Sequence, residues 1–406
     1  MNNETSVKQP QEENVFADRI RDVPRSFIRE ILKVALDPEV ISFAGGLPNR
    51  ALFPVEALKA AAARVFDEQG RDVLQYGNSE GDPRLREYIS DRYREKMGLD
   101  IPVESILITS GSQQGLDLLG KTLLNEGDAV VIEEPGYLGT IQAFSLYRPE
   151  FLPVPVSEEG MDPEGLRAAL AHRRPKLLYA VPNFQNPSGI SYSEENRRAL
   201  AEVLAGTRTF LVEDDPYGDL RYEGEPKPSF RKLLPGNTVL LGSFSKIVAP
   251  GFRLGWIAAP PDLMHKLITA KQATDLHTTH LIQGIVYRYL RDNDLDEHIR
   301  TIREVYGRQC RAMKESIKKH LPPEVGHTHP EGGMFLWAEL PGRMSALELF
   351  EVAVKDKVVF VPGDPFYVAK TGTNTMRLNF SCVDEATIDR GMQRLGRAIR
   401  ELSGGE

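Results

Sequence analysis

Little in this chain of 406 residues is suited to covalent stapling, metal binding or crossing a membrane. There are two cysteines, Cys310 and Cys382, with no C-x-x-C spacing, and the eight histidines show no metal-ligand spacing. Neither a disulfide framework nor a zinc site is expected, no metal is invoked, and a reducing cytoplasm is the expected compartment. No apolar run approaches the ~20 residues needed to span a bilayer, and Met1–Asn14 has neither a basic nor an apolar signal region. No membrane partner is expected. Lys and Arg number 50 against 58 Asp and Glu, giving a net charge of −8, and no basic stripe stands out. A nucleic-acid partner, which needs concentrated positive charge, is therefore not expected either. Solenoid-period repeats and low-complexity linkers are also missing.

What remains is an ordinary globular composition long enough for two cores. The polar stretch 1–14 reads as a disordered tail. Pro24–Leu36 carries Phe27, Ile28, Ile31, Leu32 and Ala35 at helical spacing, and Val40–Phe43 reads as a short strand before a glycine turn. Strand-like runs then recur at Ser105–Thr109, Ala129–Glu133, Phe151–Val154, Leu177–Ala180, Thr209–Glu213, Val239–Leu241 and Gly255–Ala258. Helical patterns such as Gln114–Leu124, Pro163–Ala171 and Ser193–Leu204 separate them. This alternation predicts an α/β fold with a mainly parallel sheet covered by helices. A long helical region follows to His320. Strands at Gly332–Ala338, Val358–Val361 and Met376–Phe380, with helices at Ala346–Val354 and Glu385–Leu402, complete a smaller α+β unit. The expected division is 15–59 as the N-terminal part of the small domain, 60–290 as the large domain and 291–406 as the rest of the small one.

The most informative segment is Ser243-Phe244-Ser245-Lys246, with Arg253 seven residues later. Two hydroxyls and a guanidinium beside one lysine offer donors for a phosphate dianion while the amine is placed to attack an aldehyde. Pyridoxal 5′-phosphate carries both groups. Ser110-Gly111-Ser112-Gln113 lies between a strand and an apolar helix, where free N–H groups and the helix dipole favour an anion. It has neither the P-loop nor the dinucleotide-binding glycine spacing. Tyr137 follows a strand at the edge where open α/β sheets bind ligands, and offers a face for a pyridine ring. Asn186, in Asn186-Pro187-Ser188-Gly189, offers an amide to a ring oxygen. Glu213-Asp214-Asp215-Pro216-Tyr217 supplies a carboxylate to keep a ring nitrogen protonated, with Asp214 preferred and Asp215 its competitor, and a phenol, Tyr217, beside Asn186. Each segment alone has a plainer reading as a capped helix, a turn or a solvated acidic loop. Their succession in loops after consecutive strands is what argues for one site.

With these motifs together, the chain resembles the class I and II aminotransferases of the fold-type I pyridoxal-phosphate superfamily. Within it, the similarity is greatest to the branch of 2-aminoadipate and kynurenine aminotransferases. Phe43-Ala44-Gly45-Gly46-Leu47-Pro48, Gln75-Tyr76-Gly77, Phe184-Gln185-Asn186-Pro187 and Pro330–Trp337 carry that resemblance. It implies that Arg377 holds a substrate α-carboxylate in a two-pronged pair, supported by Asn186, and that the Gly46 backbone lines the substrate site. It also implies that Tyr76 reaches the cofactor phosphate of a partner subunit, hence a homodimer with shared active sites. Lys246 would then move a proton at the substrate Cα while an amino group passes from an α-amino acid to a 2-oxo acid, with 2-oxoglutarate the expected acceptor and 2-aminoadipate, aromatic or branched-chain amino acids the expected donors. Arg25, near Arg21 and Arg29, is the candidate reader of a distal carboxylate, against the plainer reading of a solvated basic helix face. Two alternatives share the fold: another pyridoxal-phosphate reaction such as a β-lyase, and a non-catalytic sensor domain.

Overall fold

The structure is a computed structural model that describes residues 15–21, 31, 34 and 37–404. The tail 1–14, most of the helix expected at Pro24–Leu36, and Arg25 and Arg29 lie outside the described residues; for Arg21 only the backbone is described.

Fourteen strands are formed among the described residues: β1 Ile41–Ser42, β2 Ile106–Thr109, β3 Ala129–Glu134, β4 Glu150–Ser157, β5 Gly160–Met161, β6 Leu177–Ala180, β7 Phe210–Asp214, β8 Thr238–Ser243, β9 Gly255–Ala258, β10 Gly326–His327, β11 Phe335–Glu339, β12 Val358–Val359, β13 Val361–Pro362 and β14 Thr375–Asn379. Eight form one sheet in the order β2-β9-β8-β7-β6-β3-β4-β5. The pairs β3–β4, β3–β6, β6–β7 and β7–β8 are parallel, while β9 runs antiparallel between β2 and β8. The central strands are apolar along their whole length because both faces are covered: Leu177–Ala180 and Val239–Leu241 are buried throughout.

Eleven longer helices surround the strands: α1 Val55–Gln69, α2 Pro83–Met97, α3 Ser112–Leu123, α4 Leu138–Ser145, α5 Pro163–His172, α6 Glu194–Leu204, α7 Pro261–Asp275, α8 His280–Asp292, α9 Leu295–His320, α10 Ala346–Lys355 and α11 Glu385–Gly404. Their starts are chemically marked. Asp82, Asp162, Ser193, Asp294 and Ser345 each accept a backbone N–H of the first turn through the side chain. No helix among the described residues is long and apolar enough to cross a membrane, and no group of three or more candidate metal ligands is found among them.

A four-stranded sheet, β10-β11-β14-β13, lies apart from the large one, and β1 pairs in parallel with β12, so Ile41 faces Val358. Phe43 O also accepts Asn379 N at 2.8 Å, tying the N-terminal strand to β14. The glycine turn that follows β1 is thereby anchored next to Arg377.

Three expectations shift. The strand expected at Phe151–Val154 runs from Glu150 to Ser157 despite Pro153 and Pro155. It pairs with β3 on one side and meets β5 only at Val156 and Ser157 on the other, so the missing N–H groups face an open edge. The long helical region breaks into three helices, the first ending at Leu276, whose φ of 66° lies in the left-handed region and cannot continue a helix. The strand expected to start at Gly332 begins at Phe335, since Gly333, at φ 70°, belongs to a turn.

Candidate active site

The loops after β2, β3, β6, β7 and β8 meet at the carboxyl ends of the parallel strands. Lys246 leaves the turn after β8. Its Nζ donates to Gly46 O at 2.8 Å and lies 6.0 Å from the centroid of the Tyr217 ring. Burial, the largest influence, pushes this amine down to about 8 from 10.5, with Arg377 and Arg253 acting in the same direction. Below about pH 8 it is ammonium, and above it a neutral nucleophile. In cofactor-free protein, capture of an added aldehyde by Lys246 is thus expected to accelerate as pH rises and to level off above about 8. Borohydride trapping followed by peptide mass spectrometry measures it. A midpoint at the ordinary lysine value of 10.5 would contradict a buried amine.

Ser243 lies at the end of β8, where the chain turns toward Lys246. Its buried hydroxyl accepts Ser245 N at 3.1 Å and donates to Leu254 O at 3.4 Å, fixing the turn that carries Lys246. The hydroxyls of Ser110, Ser112 and Ser245 make no hydrogen bond among the described residues. Arg253, exposed and itself in the left-handed region, reaches Ser110 O at 3.5 Å. Gly111 has φ 82°, and a Cβ there would stand 2.7 Å from an Arg253 nitrogen, so only glycine allows this approach. It also opens α3 without a side-chain cap, leaving the first N–H groups of the helix available to an anion. The Gln113 side chain is used otherwise, donating to Gly139 O at 2.9 Å and joining this turn to α4.

Asp214 ends β7, almost wholly buried. Tyr179, on β6, donates to its Oδ2 at 2.7 Å, whereas Oδ1 is buried with no partner. Burial pushes the carboxyl up to about 7, against the opposing Tyr179 bond. Asp215 is satisfied locally, accepting Gly218 N at 2.8 Å, and forms part of the wall of a separate cleft of about 1030 Å³ lined also by Arg92, Asp219 and Arg303. Tyr137 lies nearly parallel to Tyr179, with centroids 6.5 Å apart. Tyr217 is buried, and burial holds its phenol protonated.

Arg377 sits in β14 opposite Trp337, 3% exposed. One Nη donates to Asn186 Oδ1 and the other to Ala44 O, both at 2.8 Å; Nε is buried without a partner. Phe335 and Phe366 face its guanidinium at 4.4 and 5.2 Å. Burial lowers it to about 10, so it stays cationic at neutral pH. Tyr76 stands 79% exposed, touching the His277 ring edge-on.

Sequence reasoning missed several members. Tyr179 lies inside an apolar strand and reads as core. Gln185 donates to Glu133 Oε2 and Pro135 O while its own oxygen accepts Ser188 N, locking the Asn186 loop to the Tyr137 loop. Phe366 lies outside every motif.

These residues fit a small molecule with a phosphate, an aldehyde and a protonated ring nitrogen, because the orphaned Asp214 oxygen, the depressed lysine and the glycine cradle under Arg253 each meet one of those groups. They fit pyridoxal 5′-phosphate.

Comparison with known proteins agrees. The profile described as "Aminotransferase class I and II" matches residues 38–395. The chain is 41% identical over 395 residues to aromatic-amino-acid aminotransferase 1 of Thermococcus litoralis, covering 96% of this chain and 95% of that protein. It is 42% identical over 386 residues to the 2-aminoadipate transaminase of Thermus thermophilus, covering 94% and 95%. The crystal structure of alpha-aminoadipate aminotransferase from Thermus thermophilus, complexed with N-(5′-phosphopyridoxyl)-L-leucine, superposes with a TM-score of 0.90 at 40% identity, covering 96% of this chain and 98% of that one. On these grounds the chain belongs to the class I and II aminotransferase family.

Proposed function

We propose that this protein is a pyridoxal-phosphate aminotransferase that moves an amino group from an α-amino acid to a 2-oxo acid by alternating half-reactions. The observation that carries the reading is one cluster in which a half-buried lysine with lowered basicity, a buried carboxylate with an unpartnered oxygen and a caged, buried guanidinium with an unpartnered nitrogen occur together. When bound, pyridoxal phosphate supplies an aldehyde that takes up the amino group and a ring that accepts the electrons released as the Cα–H bond breaks.

The chain does the rest. Ser110, Gly111, Ser112, Gln113, Ser243, Ser245 and Arg253 would hold the phosphate, Gln113 through its backbone, and the Ser243 hydroxyl also shapes the turn. Asp214 Oδ1 holds the ring nitrogen and keeps its proton in place, and Tyr179 fixes the other oxygen. Tyr137 covers the ring face, and Asn186 and Tyr217 meet its oxygen. Arg377 and Asn186 orient the substrate carboxylate beside the Gly46 backbone. Lys246 would accept the proton from the substrate Cα and, in the reverse half-reaction, return it there.

The preferred donors are 2-aminoadipate, aromatic and branched-chain amino acids, and the preferred acceptor is 2-oxoglutarate. This is supported by relatives named for 2-aminoadipate and aromatic amino acids and by the leucine adduct in the superposed structure. A side-chain role for Arg25 remains part of the proposal. A carboxylate-binding Arg377 favours amino transfer over decarboxylation, because it retains the group a decarboxylase must release. We assign 60–290 to the large domain and 15–59 with 291–406 to the small one. A homodimer is supported by Tyr76 and Leu74, 79% and 65% exposed on a loop whose assigned ligand belongs to a second copy. Both cysteines are free thiols, in keeping with a cytoplasmic location.

The test is steady-state kinetics with each donor at several 2-oxoglutarate concentrations. Parallel double-reciprocal lines are expected, with 2-aminoadipate, phenylalanine and leucine all active. Intersecting lines, or release of the amino group as ammonia, would overturn amino transfer by alternation.

A further inference from the structure

Lys271, on α7, is 0% exposed and outside every motif described above. A buried ammonium carries a large desolvation cost, and an ion pair that offsets it seldom adds net stability over apolar packing. Its presence calls for another explanation, and its partners supply one. The ammonium donates to Asp275 at 2.6 and 2.8 Å, to Gln114 Oε1 at 2.9 Å and to Thr278 Oγ1 at 2.9 Å. Gln114 Oε1 also accepts Ser110 N at 2.8 Å, and Gln114 Nε2 donates to Asp275 Oδ2 at 2.7 Å. The amide is held in one orientation, since a flip would set its NH₂ against both the ammonium and the Ser110 N–H. Thr278 Oγ1 donates to Ile108 O at 3.3 Å. One ammonium thus fastens the end of β2 at Ile108 and, through Gln114, the first residue of the phosphate turn.

The consequence for Ser110 is specific. Its N–H is taken by Gln114 at 2.8 Å, which holds the peptide entering Ser110 in one orientation, while its carbonyl lies 3.5 Å from an Arg253 nitrogen. With that N–H taken by Gln114, the anion is left to the hydroxyls, the following N–H groups and Arg253.

Resting on the cofactor reading above, we propose that Lys271 is a positioning residue for the phosphate grip, acting through Gln114 on the Ser110–Ser112 turn. It touches neither cofactor nor substrate. Its loss weakens retention of the phosphate while leaving recognition of the pyridine ring intact.

Binding of pyridoxamine 5′-phosphate and of pyridoxamine, neither of which reacts with lysine, tests this without any turnover. Dissociation constants are measured by equilibrium dialysis for the unsubstituted protein, Lys271→Met and Gln114→Leu. The second variant breaks the same chain one link nearer the cup and leaves the Lys271–Asp275 pair in place, so it serves if Lys271→Met does not fold. In both variants the phosphate-bearing ligand is expected to weaken by about tenfold, the scale of one hydrogen bond, and pyridoxamine by less than about twofold. Equal weakening of both ligands would make Lys271 a general structural element and overturn the proposal, as would no weakening of either. If the unsubstituted protein does not favour the phosphate-bearing ligand at all, the phosphate-cup reading itself fails, an outcome visible before any variant is compared.

Discussion

Lys246→Ala is expected to lower kcat by about 10⁴-fold, the upper end of what a positioned general base contributes, for every donor and acceptor alike. The reason is chemical isolation. The other cations described around the site are guanidiniums, Arg253 and Arg377, which do not release a proton near neutral pH. The nearby buried ammonium of Lys271 is committed to Asp275, Gln114 and Thr278. Among the described residues around the site, no second amine is placed to take over. At pH 7 an amine titrating at about 8 is neutral about one time in ten, against roughly one in several thousand for a lysine at 10.5, so burial raises the usable fraction several hundredfold. Lys246→Arg is expected to be as inactive as the alanine variant, since it keeps the charge and loses the titration. Affinity for pyridoxamine 5′-phosphate should fall by no more than about tenfold in either variant, because the cup, Asp214 and Tyr137 are separate from the amine. Single-turnover kinetics with dialysis measures both. Residual kcat above about one hundredth would remove Lys246 from proton transfer.

The large sheet could be read from the sequence because its inner strands are apolar on both faces and are followed by loops that carry Gly, Pro, Asn or Ser. Of its two antiparallel members, β5 is too short to carry a signal, and β9 reads as a strand but not in its direction, which periodicity does not encode. The site was legible where chemistry is concentrated in a few consecutive residues, as around Lys246 and Asp214. It was not legible where a role depends on separation. Tyr179 is 35 residues from Asp214 and sits in an apolar strand, so its phenol has no local signal. Lys271 is 157 residues from Gln114, on a helix whose sequence looks like any amphipathic helix. Ser243 carries a second task that its spacing does not reveal: its hydroxyl also accepts Ser245 N within its own turn. Local spacing names the donors available; only packing decides which of them are still free.

Arg377 is the other site where packing leaves a clear consequence. Its two Nη groups are held by Asn186 and Ala44, its faces by Phe335 and Phe366, and its side chain cannot swing away. A guanidinium fixed in this way loses little freedom when it pairs with a carboxylate, and two charge-assisted hydrogen bonds in a buried setting are worth about 3–5 kcal/mol. Arg377→Ala is therefore expected to lower kcat/KM about 10²- to 10⁴-fold for all α-amino acids, whatever their side chain. Arg377→Lys should recover only a small part, because an ammonium cannot present two parallel N–H groups. The variant also leaves Asn186 Oδ1 without its donor, so stability must be checked separately by thermal unfolding. Pyridoxamine 5′-phosphate affinity is the discriminating control: it should change by less than about threefold if Arg377 serves the substrate alone. A loss that appears for acidic donors and spares leucine or phenylalanine would mean that Arg377 reads a side-chain carboxylate, and the α-carboxylate would then have to be held elsewhere.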